Sequence, residues 1–425
     1  MSKPNSKIQI FEWGWLTVNQ VYDGIIFKQH HLDALAKYEQ LSGTEFFRCQ
    51  YSKLRFNQYV GVIKVGDLTI EVLPKTDKHQ LDKGQWQKVL LEMLLISLQV
   101  EAKTTTNAAI NIRQHSVLDT YMQLFLNETE KLIHQGLIKK YRTNISNQTT
   151  LKGKLLVHQQ ITKNAVHAER FYVAHTVYVH DHVHNFILRA GLECIAKTGS
   201  NPLKRNAEAL LLFFPECNKY LVNDKLFKTL SFDRKSEDYK KGVELARIIL
   251  LNYHPDIKGG SNDILAIMFD MNYLWESFVY WSLKKATLHL PELQVFGQKT
   301  KVFWKKEAGW SMRLKPDLVI ESTTSNVVID TKWKYQSSVT PDDLRQIYAY
   351  LDYFESDKGY LLYPEQLGDY QVSKKEGHYQ LPDGSSNDNK SCGLMFADLI
   401  INNKLNKDIG EAILESLQFI KAKSI

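Results

Sequence analysis

Apolar residues in the first eighty positions fall in short β-rich runs, and this region reads mainly as strand. Tyr59–Val65 and Leu68–Leu73 form two such runs joined by Gly66-Asp67, a two-residue hairpin turn, and Pro74 ends the second. Trp13-Gly14-Trp15 and Glu45–Phe47 add β-like material, and His31–Leu41 reads as one short helix between them. From Gly84 the period changes. Trp86, Val89, Leu90, Met93, Leu94 and Leu98 recur at three- and four-residue spacing, which predicts a helix. Further helices are expected over Ser116–Ile138, after an Asp181 N-cap through Phe186, Ile187 and Leu188, and over Tyr239–Leu251.

Glycine and polar residues cluster at Asp256–Asp263, the best domain boundary in the chain. Beyond it a long helix is predicted at Ile264–Lys285, then β-like runs at Lys301–Trp304, Arg313–Ile320 and Val327–Lys332. A helix at Asp342–Phe354 and a strand at Gly359–Tyr363 follow. The expected fold class is mixed α/β and multidomain: a β-rich N-terminal domain (1–80), a mainly helical middle region (81–260) and a C-terminal mixed α/β domain (261–425).

Composition narrows the class without naming an activity. An apolar fraction of 44% and a charged fraction of 24% are those of a soluble globular protein. The net charge of +7 fits a polyanionic partner but is modest for 425 residues. Cys49, Cys194, Cys217 and Cys392 form no CxxC pair, which argues against a zinc ribbon and suits a reducing cytoplasm. The start MSKPNSKIQIFEWGW has no signal-peptide core, and Val89–Leu98 is too short to span a bilayer. A cytoplasmic protein without a membrane partner is expected.

The chemistry concentrates in Arg313–Lys334, RLKPDLVIESTTSNVVIDTKWK. Asp317 opens one β-rich run, and Val327-Val328-Ile329 leads into Asp330-Thr331-Lys332. Alternation along a strand puts Asp330 and Lys332 on one face. The short turn Glu321–Asn326 lets the two strands pair, so that Asp317 and Asp330 converge. Converging carboxylates need a cation between them, and oxygen ligands suit Mg²⁺, with the Thr331 carbonyl as a further ligand. Lys332 could position or deprotonate a water, or offset charge on phosphate. A solvated hairpin with charged ends is the plainer alternative. Against it, both acids abut runs apolar enough for buried strands, where unpaired carboxylates are costly. Gln346 on the following helix and Glu276 on the preceding one add polar groups nearby.

Other features weigh less. His175, His180, His182 and His184 cluster in sequence, but a helix start or polar loop accounts for them as well as a metal site does. Lys139-Lys140-Tyr141-Arg142, with Lys152 and Lys154, reads equally as a phosphate contact or a solvated surface. Lys299, Lys301, Lys305 and Lys306 lie closer to the acids and are the candidate DNA contacts.

The spacing PD-x(12)-D-x-K, followed by Q-x-Y on a helix, resembles the PD-(D/E)xK nuclease superfamily. More narrowly, the chain resembles the McrC family, nuclease subunits of modification-dependent McrBC restriction systems. VGVIKVGDLTIEVLPK (60–75), GLIKKY (136–141), LKGKL (151–155), DRKSEDYKKGVELARIIL (233–250) and FDMNYLWESFV (269–279) extend the resemblance over most of residues 55–365. It implies a restriction-endonuclease-like C-terminal domain with a mixed central sheet. It implies a Mg²⁺-dependent endodeoxyribonuclease of antiviral defence, in which Mn²⁺ can substitute. Asp317 and Asp330 would bind metal, Lys332 would be the catalytic lysine, Glu276 the helix-borne acid and Gln346 a supporting residue; Glu321 or Asp342–Asp343 could take the last two roles. The resemblance further implies a ring-forming AAA+ GTPase partner, McrB, engaged and stimulated by the N-terminal part, and DNA carrying methylcytosine as substrate. The chain has no GxxxxGK[ST] motif, so it should bind no nucleotide itself. A stand-alone nuclease and a non-catalytic activator of the GTPase are the competing readings.

Overall fold

The computed structural model describes residues 6–74, 82–97, 117–254, 263–307, 309–323, 325–334, 339–365 and 372–420. The expected boundary at Asp256–Asp263 falls, except for Asp263, outside them. The chain is mixed α/β and packs as two compact units, neither of them one continuous segment. The first comprises residues 1–63, 67–114 and 268–425, and the second 64–66 and 115–267. The three consecutive segments expected from the sequence therefore differ from the division that packing makes: most of the N-terminal eighty residues belong with the C-terminal segment.

In the first unit the strand Ser6–Phe11 pairs in parallel with Leu68–Leu73. All six residues of Leu68–Leu73 are buried, the polar Thr69 and Glu71 among them. The expected helix around His31–Leu41 spans Gln29–Ser42 and ends on Gly43, whose φ of 62° is the left-handed cap that glycine adopts without strain.

The C-terminal segment of this unit is built around a seven-stranded mixed sheet. Leu293–Gly297, Leu318–Ser322 and Asn326–Thr331 run antiparallel in that order. Asn326–Thr331 then pairs in parallel with Ser356–Glu365, and that strand in parallel with Ser386–Asp398. Parallel neighbours need a crossover, and the helix Pro341–Tyr353 supplies the first. Val319, Val328, Ile347, Tyr350, Leu351, Phe354, Leu361 and Tyr363 form the core between that helix and the sheet.

Several expectations are corrected. The helix predicted from Ile264 begins at Met271, because ILAIM forms a buried strand, Ile264–Asp270. A short unbroken apolar run reads as strand or helix alike; the decisive residue is Asp270, whose carboxylate accepts from the Asn272 and Tyr273 amides and caps the helix. The runs Lys301–Trp304 and Arg313–Ile320 are not neighbours in the main sheet. Lys301–Lys305 and Ser311–Leu314 pair as a separate hairpin, and the strand Leu318–Ser322 starts only after Pro316. The stretch Asp383–Cys392, to which the sequence reading gave no strand, lies largely in the strand Ser386–Asp398.

The second unit is helical, as expected, with Val117–Gln135, Val183–Thr198, Asn201–Leu211 and Tyr239–Leu251 packed on one another. It also holds an antiparallel sheet of Lys140–Gln148, Lys154–Leu155 and Phe171–Val179 that the helical reading did not include. Little of Lys140–Gln148 is buried, so its residues carry no apolar alternation to betray it. The N-cap of Val183–Thr198 is His182 rather than Asp181, whose carboxylate instead binds Asn218 and Arg142.

Candidate active site

The pairing of Leu318–Ser322 with Asn326–Thr331 sets the geometry. Its last registered pair, Leu318 with Ile329, puts Asp317 and Asp330 together at the same end of the two strands. Pro316 directly before Asp317 cannot extend the strand register, which leaves Asp317 as the first residue to turn toward its neighbour. One Asp317 oxygen, Oδ2, accepts from the Thr331 amide at 2.7 Å and from the Thr331 hydroxyl at 2.8 Å. Thr331, expected to offer its carbonyl to a metal, is seen to anchor Asp317 through its amide and side chain.

Asp330 is almost wholly buried, and its Oδ2 lies 2.7 Å from Lys332 Nζ, a contact of charge without good hydrogen-bond alignment. Lys332 Nζ also lies 2.9 Å from Asp343 Oδ1. Asp343 sits in the first turn of the helix Pro341–Tyr353, where it completes a capping box with Thr340 and binds Lys334 at 3.1 Å through its other oxygen. Asp342 points away to Arg345. Asp343, raised from sequence only as an alternative, therefore clamps the central lysine. Its signal was the Thr-Pro-Asp-Asp helix start.

Glu276 comes to the same place from the helix Met271–Ala286. Gln298 donates to its Oε1 at 2.8 Å, and the Gln298 amide donates to the Asp317 carbonyl at 2.8 Å. Gln298 had not been singled out. Gln346 makes its bond to the Tyr350 hydroxyl at 2.6 Å, and that hydroxyl donates to the Lys315 carbonyl at 3.1 Å. Gln346 thus acts on the segment before Asp317 through Tyr350.

Electrostatics set these groups apart from surface charges. Burial, then Asp317 and Asp330 nearby, raise the Glu276 carboxyl to about 7. Burial raises Asp317 as well, and burial together with Asp317 raises Asp330. Burial works against the charge of Lys332, but Asp330 and Asp343 outweigh it and hold the lysine well above its ordinary range. Asp343 is lowered: Lys332, Thr340 and Lys334 outweigh its partial burial. Lys332 is therefore a firmly held ammonium, which favours offsetting phosphate charge over deprotonating water.

Three neighbouring carboxylates that burial and mutual repulsion keep from ionising supply oxygen donors of the kind a hard divalent cation takes. Among the described residues, the three possible ligand atoms that all lie within 4.8 Å of one another are not those of Glu276, Asp317 and Asp330, which are less closely gathered, but those of His30, His31 and Asp67. There His31 Nδ1 accepts from the Lys28 amide and Nε2 faces Asp67 at 3.5 Å, an arrangement that ordinary helix capping explains. Of the four histidines at 175–184, His182 caps the helix Val183–Thr198, and His184 meets His182 and lies against Phe232 and Tyr239.

Of the candidate DNA contacts, Lys299 pairs with Glu321 and sits over the Phe296 ring at 4.4 Å. Lys301 pairs with Glu355 at 3.7 Å. Lys305 and Lys306 are exposed. Among the described residues no helix is long and apolar enough to cross a membrane.

A family model described as McrBC 5-methylcytosine restriction system component matches residues 54–364. No curated protein matches. Among solved structures, the chain is similar over 97% of its length to all of a chain in a half-complex from a tetradecameric assembly of Thermococcus gammatolerans McrB AAA+ hexamers with bound McrC. The identity is 17% and the TM-score 0.66. A cryo-EM structure of the Thermococcus gammatolerans McrBC complex matches over 66% of this chain and 88% of that one, with 20% identity and a TM-score of 0.51. At these identities the likeness is one of fold.

Proposed function

The chain belongs to the McrBC 5-methylcytosine restriction system component family, and from that premise we propose that it is the system's DNA-cutting subunit. The observation that carries the reading is the buried set in which Asp317 and Asp330 converge beside Lys332 and Asp343 clamps the lysine. Phosphodiester hydrolysis needs positive charge where phosphate charge grows, and a group able to move a proton near neutral pH.

Asp317, Asp330 and the Thr331 carbonyl would hold Mg²⁺, for which Mn²⁺ can substitute. When bound, the ion supplies Lewis-acid polarisation of the phosphoryl oxygen and makes water more acidic. Lys332, kept charged by two carboxylates, stabilises the developing phosphate charge. Glu276, whose carboxyl burial and the neighbouring acids raise above the ordinary carboxylate range, is suited to take up or return a proton. Gln346 and Tyr350 hold the Lys315–Asp317 segment in place. The C-terminal segment is read as a PD-(D/E)xK nuclease domain.

The partner is an AAA+ GTPase resembling McrB, whose GTP hydrolysis the chain stimulates through its N-terminal part. The likeness to a chain of the Thermococcus gammatolerans assembly supports this, as does the lack of a nucleotide-binding GxxxxGK[ST] motif. The substrate is DNA carrying methylcytosine.

The test is cleavage of methylated and unmethylated plasmid by the chain co-purified with its AAA+ partner, in GTP with Mg²⁺ or EDTA. Cutting of methylated plasmid that needs Mg²⁺ and disappears in Lys332→Ala is expected. Vigorous GTP hydrolysis with both plasmids intact would instead make the chain a non-catalytic activator.

A further inference from the structure

Beside the acids stands a two-stranded hairpin, Lys301–Lys305 paired with Ser311–Leu314, that belongs to neither side of the main sheet. Its side chains are unusual for a surface. Val302, Phe303, Trp304, Trp310 and Met312 are each about half exposed, and the Trp304 and Trp310 rings lie 5.4 Å apart. A contiguous apolar surface of this kind on a soluble chain marks a binding site.

Charge identifies the occupant. Residues 299–315 contain six cations (Lys299, Lys301, Lys305, Lys306, Arg313, Lys315) and one acid, Glu307, a net +5 of the chain's +7. Among the described residues Lys305 and Lys306 make no ion pair, so their charge is available to a partner. Aromatic rings interleaved with free cations are the chemistry that grips a nucleic acid, by base stacking and phosphate contact together.

Both feet of the hairpin are fixed to the acids. On the incoming side Gln298 binds Glu276 and the Asp317 carbonyl. On the outgoing side the Lys315 carbonyl accepts from Tyr350, two residues before Asp317. The strand register shifts between Val302 and Trp304, which makes Phe303 the extra residue of a bulge. The Phe303 carbonyl accepts from Tyr353, and its ring meets Tyr353 edge-on at 5.6 Å. Phe303 thus pins the hairpin to the helix Pro341–Tyr353, while Trp304 and Trp310 remain outward as a pair.

We propose that this hairpin is a DNA-gripping arm, in which Trp304 and Trp310 stack on bases beside the scissile phosphate and Lys305, Lys306 and Arg313 hold the backbone. The proposal rests on the nuclease reading above and adds the element that positions the substrate. A base drawn against the indoles would open the duplex at the cut site.

The test uses the full chain in complex with its AAA+ partner and a fluorescein-labelled duplex of about 30 base pairs containing 5-methylcytosine, with binding followed in EDTA and cutting followed in parallel with Mg²⁺ and GTP. Affinity and its salt dependence are measured for wild type, Trp304→Ala/Trp310→Ala, Trp304→Phe/Trp310→Phe and Lys305→Ala/Lys306→Ala. The double alanine variant is expected to bind about ten-fold or more weakly with an unchanged salt slope, since stacking on each ring contributes roughly five- to hundred-fold. Phenylalanine should restore part of the loss, and the lysine variant should flatten the salt slope. Wild-type binding and cutting matched by the tryptophan variants would overturn the arm and leave the nuclease reading intact. No DNA binding or cutting by wild type would overturn both. A changed sedimentation coefficient in the alanine variant, with DNA affinity unaltered, would make the surface a protein interface and also overturn the arm.

Discussion

Lys332 sits between two carboxylates that oppose the effect of its own burial, and this balance defines the site at the scale of single residues. Asp330 is the costly member, because burial and Asp317 both work against its charge. Asp330→Asn should therefore melt no lower than wild type without metal, while losing cleavage. Mg²⁺ should stabilise wild type by about 2.7 kcal/mol at a hundred-fold excess over Kd, and the variant much less. Thermal melts with and without Mg²⁺ decide it; equal shifts in both proteins would count against Asp330 as a ligand. Away from the site, burial and then His182 hold His184 down to about 4, below its ordinary 6.5. The unfolded chain binds the proton first, so stability is full above pH 6.5 and falls as pH drops toward 4. His184→Gln should flatten that part of the stability–pH curve in urea titrations. An unchanged curve would mean that His184 is not held neutral.

At the scale of elements, the helix Pro341–Tyr353 carries Asp343 at its start and Gln346 and Tyr350 further along, so its seat on the sheet decides the site. Gly359 makes that seat possible: a Cβ there would stand 2.4 Å from Ile347 Cγ2. Gly359→Ala should cost about 1–3 kcal/mol through overpacking and reduce cleavage by moving Asp343 off Lys332. Denaturant melts and turnover together would show it, and a variant as stable and active as wild type would exclude the close fit. The acids, the lysine and this helix were legible in the sequence, because strand runs place Asp317 and Asp330 and the Q-x-Y period marks the helix. The clamp by Asp343 and the tie of Gln298 to Glu276 were not, since both join residues whose meeting depends on tertiary packing. The helix start at Met271 was misread because ILAIM satisfies strand and helix patterns alike, and the runs Lys301–Trp304 and Arg313–Ile320 gave no sign that the first pairs with the start of the second as a separate hairpin. That hairpin is where local pattern failed, and it is also where the DNA-gripping arm is placed.

At the scale of the molecule, the first unit joins the N-terminal sixty-three residues to the C-terminal segment that holds the acids. The buried Glu12 carboxylate accepts from the Trp333 indole at 2.9 Å, one residue after Lys332, and Trp333 packs against Trp275. No sequence pattern announces a contact across 321 residues. Glu12→Ala should leave the indole N–H unpaired and cost about 1–3 kcal/mol. A fragment limited to 261–425 should lose the cooperative melt of the full chain; a fragment that melts cooperatively at the full-chain temperature would show that the C-terminal segment folds alone. The central claim, that Asp317, Asp330 and Lys332 form the phosphodiester-cutting site, is tested most directly by one comparison. Wild type and Asp330→Ala, each assembled with the AAA+ partner, are given methylated plasmid, Mg²⁺ and GTP, and cleavage and GTP hydrolysis are followed in the same tube. The account predicts GTP hydrolysis in both and cleavage in wild type alone, whereas undiminished cleavage by the Asp330→Ala complex would contradict it.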